Sequence, residues 1–132
     1  MVKPKHRLAH HVDEQRIADA IRSAEAGTTA KIVVTLAHHA GREILAAAMR
    51  AFMRLEMHRA DKRNNVLFYV APLRREFAIV GDAGAHDALG QGFWDELALS
   101  MSAHIKTESL TDGLCYGIDR VGRELSTRFP RG

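Results

Sequence analysis

Apolar residues at positions 17, 21 and 24 recur at spacings of four and three, which places Ile17, Ile21 and Ala24 on one face of a helix over 14–25. Asp13 stands where a side chain can cap the first free amides, and Gly27-Thr28-Thr29 ends the segment. The pattern then loses its helical period. Residues 31–37 form a continuous, largely β-branched run that predicts a buried strand, followed by a loop at His38-His39-Ala40-Gly41. A second helical period covers about 42–57, with Ile44, Leu45, Ala48, Phe52 and Leu55 as its buried stripe. After a polar loop, residues 65–71 predict a second buried strand. Pro72-Leu73-Arg74-Arg75 is a tight connection to a third strand over 76–81. Residues 82–86 read as an exit loop. Helices are then expected over about 93–104, with Phe93, Leu97 and Met101 in register, and over about 109–128. The latter buries Leu110, Leu114, Ile118, Val121, Leu125 and Phe129 and uses Gly113 and Gly117 for close packing.

Strands one and two are separated by a helix and should be parallel through a right-handed crossover. Strands two and three are joined too closely for anything but an antiparallel hairpin. The expected order is αβαββαα in one α/β domain with a small mixed sheet. It has no internal repeat or interdomain linker.

Composition adds boundaries. The chain has 132 residues, 46% hydrophobic and 27% charged, as expected of a globular domain rather than a disordered or disulfide-built one. A single cysteine, Cys115, cannot form an internal disulfide and suits a reducing compartment, so a cytoplasmic location is expected. No apolar run approaches the ~20 residues that span a bilayer, and the N-terminus lacks the apolar segment of a signal peptide. The formal charge of +3 resides in residues 1–11, where Lys3, Lys5 and Arg7 meet no acid. We treat residues 1–11 as a basic arm and 12–130 as the domain. Such an arm is commonly a solvated tail; as a phosphate-contacting arm it would bind nucleic acid in a salt-sensitive manner. The absence of interleaved exposed aromatics argues against nucleic acid. His6 and His10 have a metal-like spacing, but Pro4 disfavours the rigid helix that a site would need.

The topology brings the starts of strands one and two and the end of strand three to one end of the sheet. There Thr28, Thr29 and Lys31 meet Arg63, Asn64 and Asn65, and Gly81, Asp82 and Gly84. Short polar groups and glycines from three segments make that end the candidate pocket. His38, His39 and the hairpin Leu73-Arg74-Arg75 collect at the other.

The same residues carry a family resemblance. Glu25-Ala26-Gly27-Thr28-Thr29-Ala30-Lys31-Ile32-Val33-Val34 resembles the E-x-x-T-x-x-E-I-V-V opening of the TPM-domain family. Arg63-Asn64-Asn65-Val66-Leu67 is similar to its N-G-V-L strand, and Arg75 to Gly84 to its R-x-h-x-h-x-G-D-x-G strand and turn. Gly90-Gln91-Gly92-Phe93-Trp94-Asp95-Glu96, Leu114-Cys115-Tyr116-Gly117-Ile118 and Phe129-Pro130 resemble a short, soluble, anchor-free subset, so that the likeness runs over about 13–130. It implies a three-layer α/β/α domain. Members of the family are often membrane-attached or exported; some bind calcium or have been assigned phosphatase activity. In this chain Lys31 stands for the family's usual Glu and Arg63 for an Asp, while Asn65 replaces a Gly and Asp82 is kept. Calcium takes six to eight oxygen ligands, so two cations in place of two carboxylates argue against it, with Asp82 the one metal ligand retained.

Other chemistry is sparse. Cys115 and Arg120 lack the phosphate loop of a cysteine phosphatase, and neither an Asp-x-Asp motif nor a nucleotide-binding Gly-rich loop occurs. Adjacent His38 and His39 lack further ligands. Phosphate-ester hydrolysis would use Asp82 or His86 as acid or base, with Lys31 and Arg63 holding phosphate. The structural alternative is that Asp82 caps a turn and pairs with Lys31. The expectation is a ligand- or partner-binding module, taking a protein or an anionic small molecule through Thr29, Lys31, Arg63, Asn64, Asn65 and Gly84; the alternative is a weak phosphatase at the same end.

Overall fold

The structure, a computed structural model, describes residues 11–132; the basic arm therefore lies outside the described residues apart from His11. Helix α1 spans Glu14–Glu25 and is capped by Asp13, whose side chain accepts from the Arg16 amide at 3.1 Å. Strand β1 spans Ile32–Leu36, α2 spans Ile44–Arg54, and a single 3-10 turn covers Met57–Arg59. Strands β2 (Val66–Ala71) and β3 (Glu76–Gly81) are joined by a second 3-10 turn, Pro72–Arg74. Helices α3 (Ala83–Leu89), α4 (Gln91–Thr107) and α5 (Leu110–Arg128) complete the chain.

The sheet order is β1-β2-β3, with β1 and β2 parallel and β2 and β3 antiparallel, in agreement with the topology read from the connections. Strand β2 is central and every residue in it is buried. Val66, Phe68 and Val70 face a layer made by α1, α4 and α5, whereas Leu67, Tyr69 and Ala71 face α2. Coverage on both faces is why β2 has no polar alternation. The result is a three-layer α/β/α domain with unequal layers.

Three local expectations are corrected. Residues 82–86 do not form a loop: Asp82 caps α3, its side chain accepting from the Ala83 amide at 2.8 Å. The short helix hides from periodicity because it is under two turns of useful apolar signal. Strand β1 is only half-buried, since it lies at the edge of the sheet; an apolar run alone cannot tell edge from centre. In α2 the buried stripe is Ala47, Ala48, Ala51 and Phe52, whereas Leu45 and Leu55 are exposed. Three of the four buried side chains are alanines, so this face presents little bulk to β2 and β3. The expected glycine packing in α5 is present: a Cβ on Gly113 would lie 2.3 Å from Ile105, and one on Gly117 2.4 Å from the Met101 sulfur.

Candidate functional site

At the end of the sheet that gathers Lys31, Arg63 and Asp82, buried and half-buried side chains bond to backbone groups of neighbouring segments. Thr28 is fully buried, and its hydroxyl donates towards Phe129 O at 2.7 Å, tying the α1–β1 turn to the end of α5. Glu25 Oε2 accepts from the Ile32 amide at 2.7 Å, closing the first outward donor of β1. Asn65 Oδ1 accepts from the Lys31 amide and its Nδ2 donates to Met57 O, each at 2.9 Å, so one buried side chain joins three segments. Asn64 is also buried and donates to the hydroxyl of exposed Thr29 at 3.2 Å.

Arg63 takes the left-handed backbone conformation, φ 50°, a rare state for a non-glycine residue. It is held there by Arg63 N–H to Ala60 O and by Ala85 N–H to Arg63 O. Its guanidinium grips Asp82 with both arms: Nε to Oδ2 at 2.6 Å and Nη2 to Oδ1 at 2.8 Å. Asp82 is 6% exposed. Burial pushes its carboxyl upward, but hydrogen bonds from Arg63 and the Ala83 amide, with the positive charge of Arg63, outweigh burial and hold it below the usual Asp range. A planar fork on a carboxylate is the strongest geometry available to such a pair.

Gly84 lies against this pair for a steric reason. A Cβ there would be 2.1 Å from Lys62 O and 2.8 Å from Arg63 O. Gly81 is closely packed too: a Cβ there would press on the Trp94 ring at 3.0 Å, a contact with a side chain rather than with backbone. Each residue of the Gly81-Asp82-Ala83-Gly84 turn except Ala83 thus carries a packing or capping task.

The other predicted residues are placed as follows. Lys31 is exposed, and among the described residues its ammonium has no ion-pair partner, so Asp82 pairs with Arg63 rather than with Lys31. His86 is exposed on α3; its Nε2 lies 2.8 Å from Gln91 Oε1, and only its backbone N–H reaches Asp82, at the carbonyl. No hydrogen bond joins the two side chains that an acid–base reading would couple. Cys115 is half-buried, and burial is the main influence pushing its thiol up, which is unlike an activated nucleophile. Sequence reading passed over the roles of Glu25 and Thr28, although both stand in the E-x-x-T segment. It also passed over the left-handed state of Arg63, which no residue-type signal announces.

The donor set does not suit calcium. Of the two carboxylates at this end, both oxygens of Asp82 and Oε2 of Glu25 already accept hydrogen bonds, and Arg63 and Lys31 place positive charge where ligands would be needed. Among the described residues no three His, Cys, Asp or Glu side chains gather in a metal-binding group, and no helix is long and apolar enough to cross a membrane.

Comparison with known proteins agrees with this architecture. No curated protein matches the chain. Among solved structures, it is similar to the BA42 protein of the psychrophilic bacterium Bizionia argentinensis, at 33% identity and a TM-score of 0.81, covering 90% of this chain and 84% of that one. It also shares its fold with the N-terminal domain of a P. gingivalis protein, at 16% identity and a TM-score of 0.68 over 88% of this chain and 75% of that one. The profile of the TPM domain matches residues 8–124, and on that match the chain belongs to the TPM domain family.

Proposed function

We propose that this TPM domain is a binding module that takes an anionic partner at the end of the sheet bearing Lys31 and Arg63. The observation that carries the reading is the exposed Lys31 ammonium, which has no acidic partner among the described residues and stands at the strand end where Asn65 receives its amide. Arg63 adds a guanidinium whose side chain is 51% exposed although it holds Asp82. Side-chain hydrogen bonds of Asn64 and Asn65 to Thr29, the Lys31 amide and Met57 O would position these cations without a folding step on binding. Phosphate-ester hydrolysis has weaker support, because the Asp82 oxygens are engaged by Arg63 and the His86 ring nitrogen by Gln91.

The test is thermal unfolding in inorganic phosphate against chloride at matched ionic strength. A ligand that binds only the native state raises the midpoint, by about 2.7 kcal/mol of stability at 100 times its dissociation constant. Phosphate also stabilises folded chains generally by exclusion from their surface. Lys31→Glu separates the two: specific binding loses its increment in the variant, whereas general stabilisation survives. Equal midpoints in phosphate and chloride, or an unchanged increment in Lys31→Glu, refute the proposal.

A further inference from the structure

Strand β3 leaves one side of its backbone unused. The Val66 amide donates to Lys31 O and the Ala37 amide to Val70 O, so even-numbered residues of β2 bond to β1 and odd-numbered ones to β3. Asp82 N–H on Asn65 O sets the matching parity in β3: Ala78 and Val80 bond to β2, while the backbone of Phe77, Ile79 and Gly81 faces outward. No hydrogen bond among the described residues reaches those outward groups. On the opposite edge Glu25 occupies the Ile32 amide of β1, while the outward amides of Val34 and Leu36 are, like those of β3, without a hydrogen bond among the described residues. Nor does β3 carry the lysine or proline that commonly blunts an edge strand.

A groove of ≈ 470 Å³ runs beside this edge, between Leu45 of α2 and Trp94 and Ala98 of α4. A second hollow shares Phe77 with it and continues past Ser102 to Arg75 and Lys106. Together they follow β3 along the face of α4. Their charge is polar along that axis. Exposed Asp95, whose Oδ1 accepts from Gln91, stands near the Gly81 end beside His86; exposed Lys106 stands at the other with Arg75, whose Nη2 donates to Ile105 O, while Glu76 is already paired with Arg74.

We infer that this groove binds an extended peptide that joins the sheet as a fourth strand, antiparallel to β3. The outward N–H and C=O groups require a partner that offers both in alternation, which an extended backbone does. An antiparallel peptide places its N-terminal end beside Asp95 and its C-terminal end beside Arg75 and Lys106. That matches a basic residue or free amine at the first and an acidic residue or free carboxylate at the second. Its side chains alternate between the Leu45 wall and the Trp94–Ala98 wall, so the middle of the peptide is apolar or β-branched. The six residues of β3 set a match of similar length. A second copy of the chain fits less well, because its own β3 arrives flanked by its own α2 and α4, whereas the recess between two helices has room for a strand alone.

The groove shares Gly81 and His86 with the candidate end of the sheet but is not lined by Lys31 or Arg63, so it stands or falls independently of the anion reading. The probe is a synthetic heptapeptide, K-V-T-V-T-V-E with free termini, titrated against the full chain. Binding is read from the fluorescence of Trp94, the sole tryptophan, and from amide exchange of Phe77, Ile79 and Gly81. We expect these three amides to exchange at least about tenfold more slowly with saturating peptide, and the charge-reversed peptide E-V-T-V-T-V-K to bind more weakly. N-methylation of one alternating set of peptide amides should abolish binding and that of the other set should not. Ile79→Pro removes an outward donor that the ladder does not use, and Ala98→Arg fills the groove from an accessible helix position; both should lose binding, and either serves if the other fails to fold. Unchanged exchange at millimolar peptide, equal binding of both methylated peptides, or full binding by a folded variant overturns the inference. So does protection of Ile79 that rises with protein concentration in the absence of peptide, which would identify a second copy as the occupant.

Discussion

Replacing Gly84 by alanine sets two effects of opposite sign against each other. Gly84 is the second residue of α3, and in a helix Ala is favoured over Gly by up to about 1 kcal/mol. Against this stands a Cβ only 2.1 Å from Lys62 O and 2.8 Å from Arg63 O. Since carbon atoms reach their optimum near 3.5–4.0 Å, the loop and helix must part by more than ~1 Å. The obstacle is backbone, so no side-chain rotation relieves it. Separation would stretch the 3.1 Å bond from Ala85 N–H to Arg63 O and disturb the two-armed hold on Asp82. Overpacking of this sort costs about 1–3 kcal/mol, and the strained bond adds about 1 kcal/mol. The net expectation for Gly84→Ala is therefore a loss of about 2 kcal/mol. Gly92→Ala is the matched control: Gly92 is also the second residue of its helix, and a Cβ there meets nothing within 4 Å. It should gain a few tenths to about 1 kcal/mol. Urea unfolding, with the slope checked for constancy, measures both. If the two variants move stability in the same direction, the steric account of the Gly81-Asp82-Ala83-Gly84 turn is wrong.

Asp82→Asn should destabilise the chain at neutral pH, because it removes the charge-assisted pair with Arg63 while Asn still caps α3. The folded carboxyl is held below its unfolded value, so its contribution is present above the ordinary Asp range near pH 4 and disappears as pH falls through the folded value. The gap between wild type and variant in denaturant unfolding should thus begin to narrow as pH falls below the ordinary Asp range near about 4 and close only beneath the lowered folded value; a constant gap down the acid limb would exclude the ionised pair as the cause. Thr28→Val keeps the shape but removes the donor to Phe129 O inside a buried turn, and should cost about 1–3 kcal/mol in the same assay. A loss under about 0.5 kcal/mol would place it with ordinary surface substitutions instead. Between Gly113→Ala and Gly117→Ala, the first should be worse: Cβ there meets Ile105 and the Met101 carbonyl at 2.3 and 3.1 Å, whereas the second meets the flexible Met101 thioether. Reversal of that order in thermal midpoints would show that Met101 cannot move aside.

Much of the architecture is determined by local pattern. The change from a spacing of three and four to a continuous β-branched run marks the step from α1 to β1, and the short Pro72–Arg74 link forces an antiparallel β2–β3 pair. Parallel β1 and β2 follow from the intervening helix. Pattern also assembles the residues at one end of the sheet, because topology decides which strand termini are neighbours. It cannot rank two faces of α2 that are both rich in apolar residues. Only the closeness of α2 to the sheet selects Ala47, Ala48 and Ala51 for the interior and leaves Leu45, Met49 and Met53 outside.

The net positive charge of the sequence lies in residues 1–11, but the topology places two further cations, Lys31 and Arg63, at one end of the sheet. What the two cations do there depends on three-dimensional contacts. Arg63 turns into a left-handed conformation and closes on Asp82, while Lys31, on a neighbouring strand end, is left exposed. Residue types encode charge; the partner of each charge is settled by distances between segments separated by tens of positions. The unpaired edge of β3 has the same origin. Its sequence resembles that of a strand with two neighbours, and only the order β1-β2-β3 leaves its outer backbone without one.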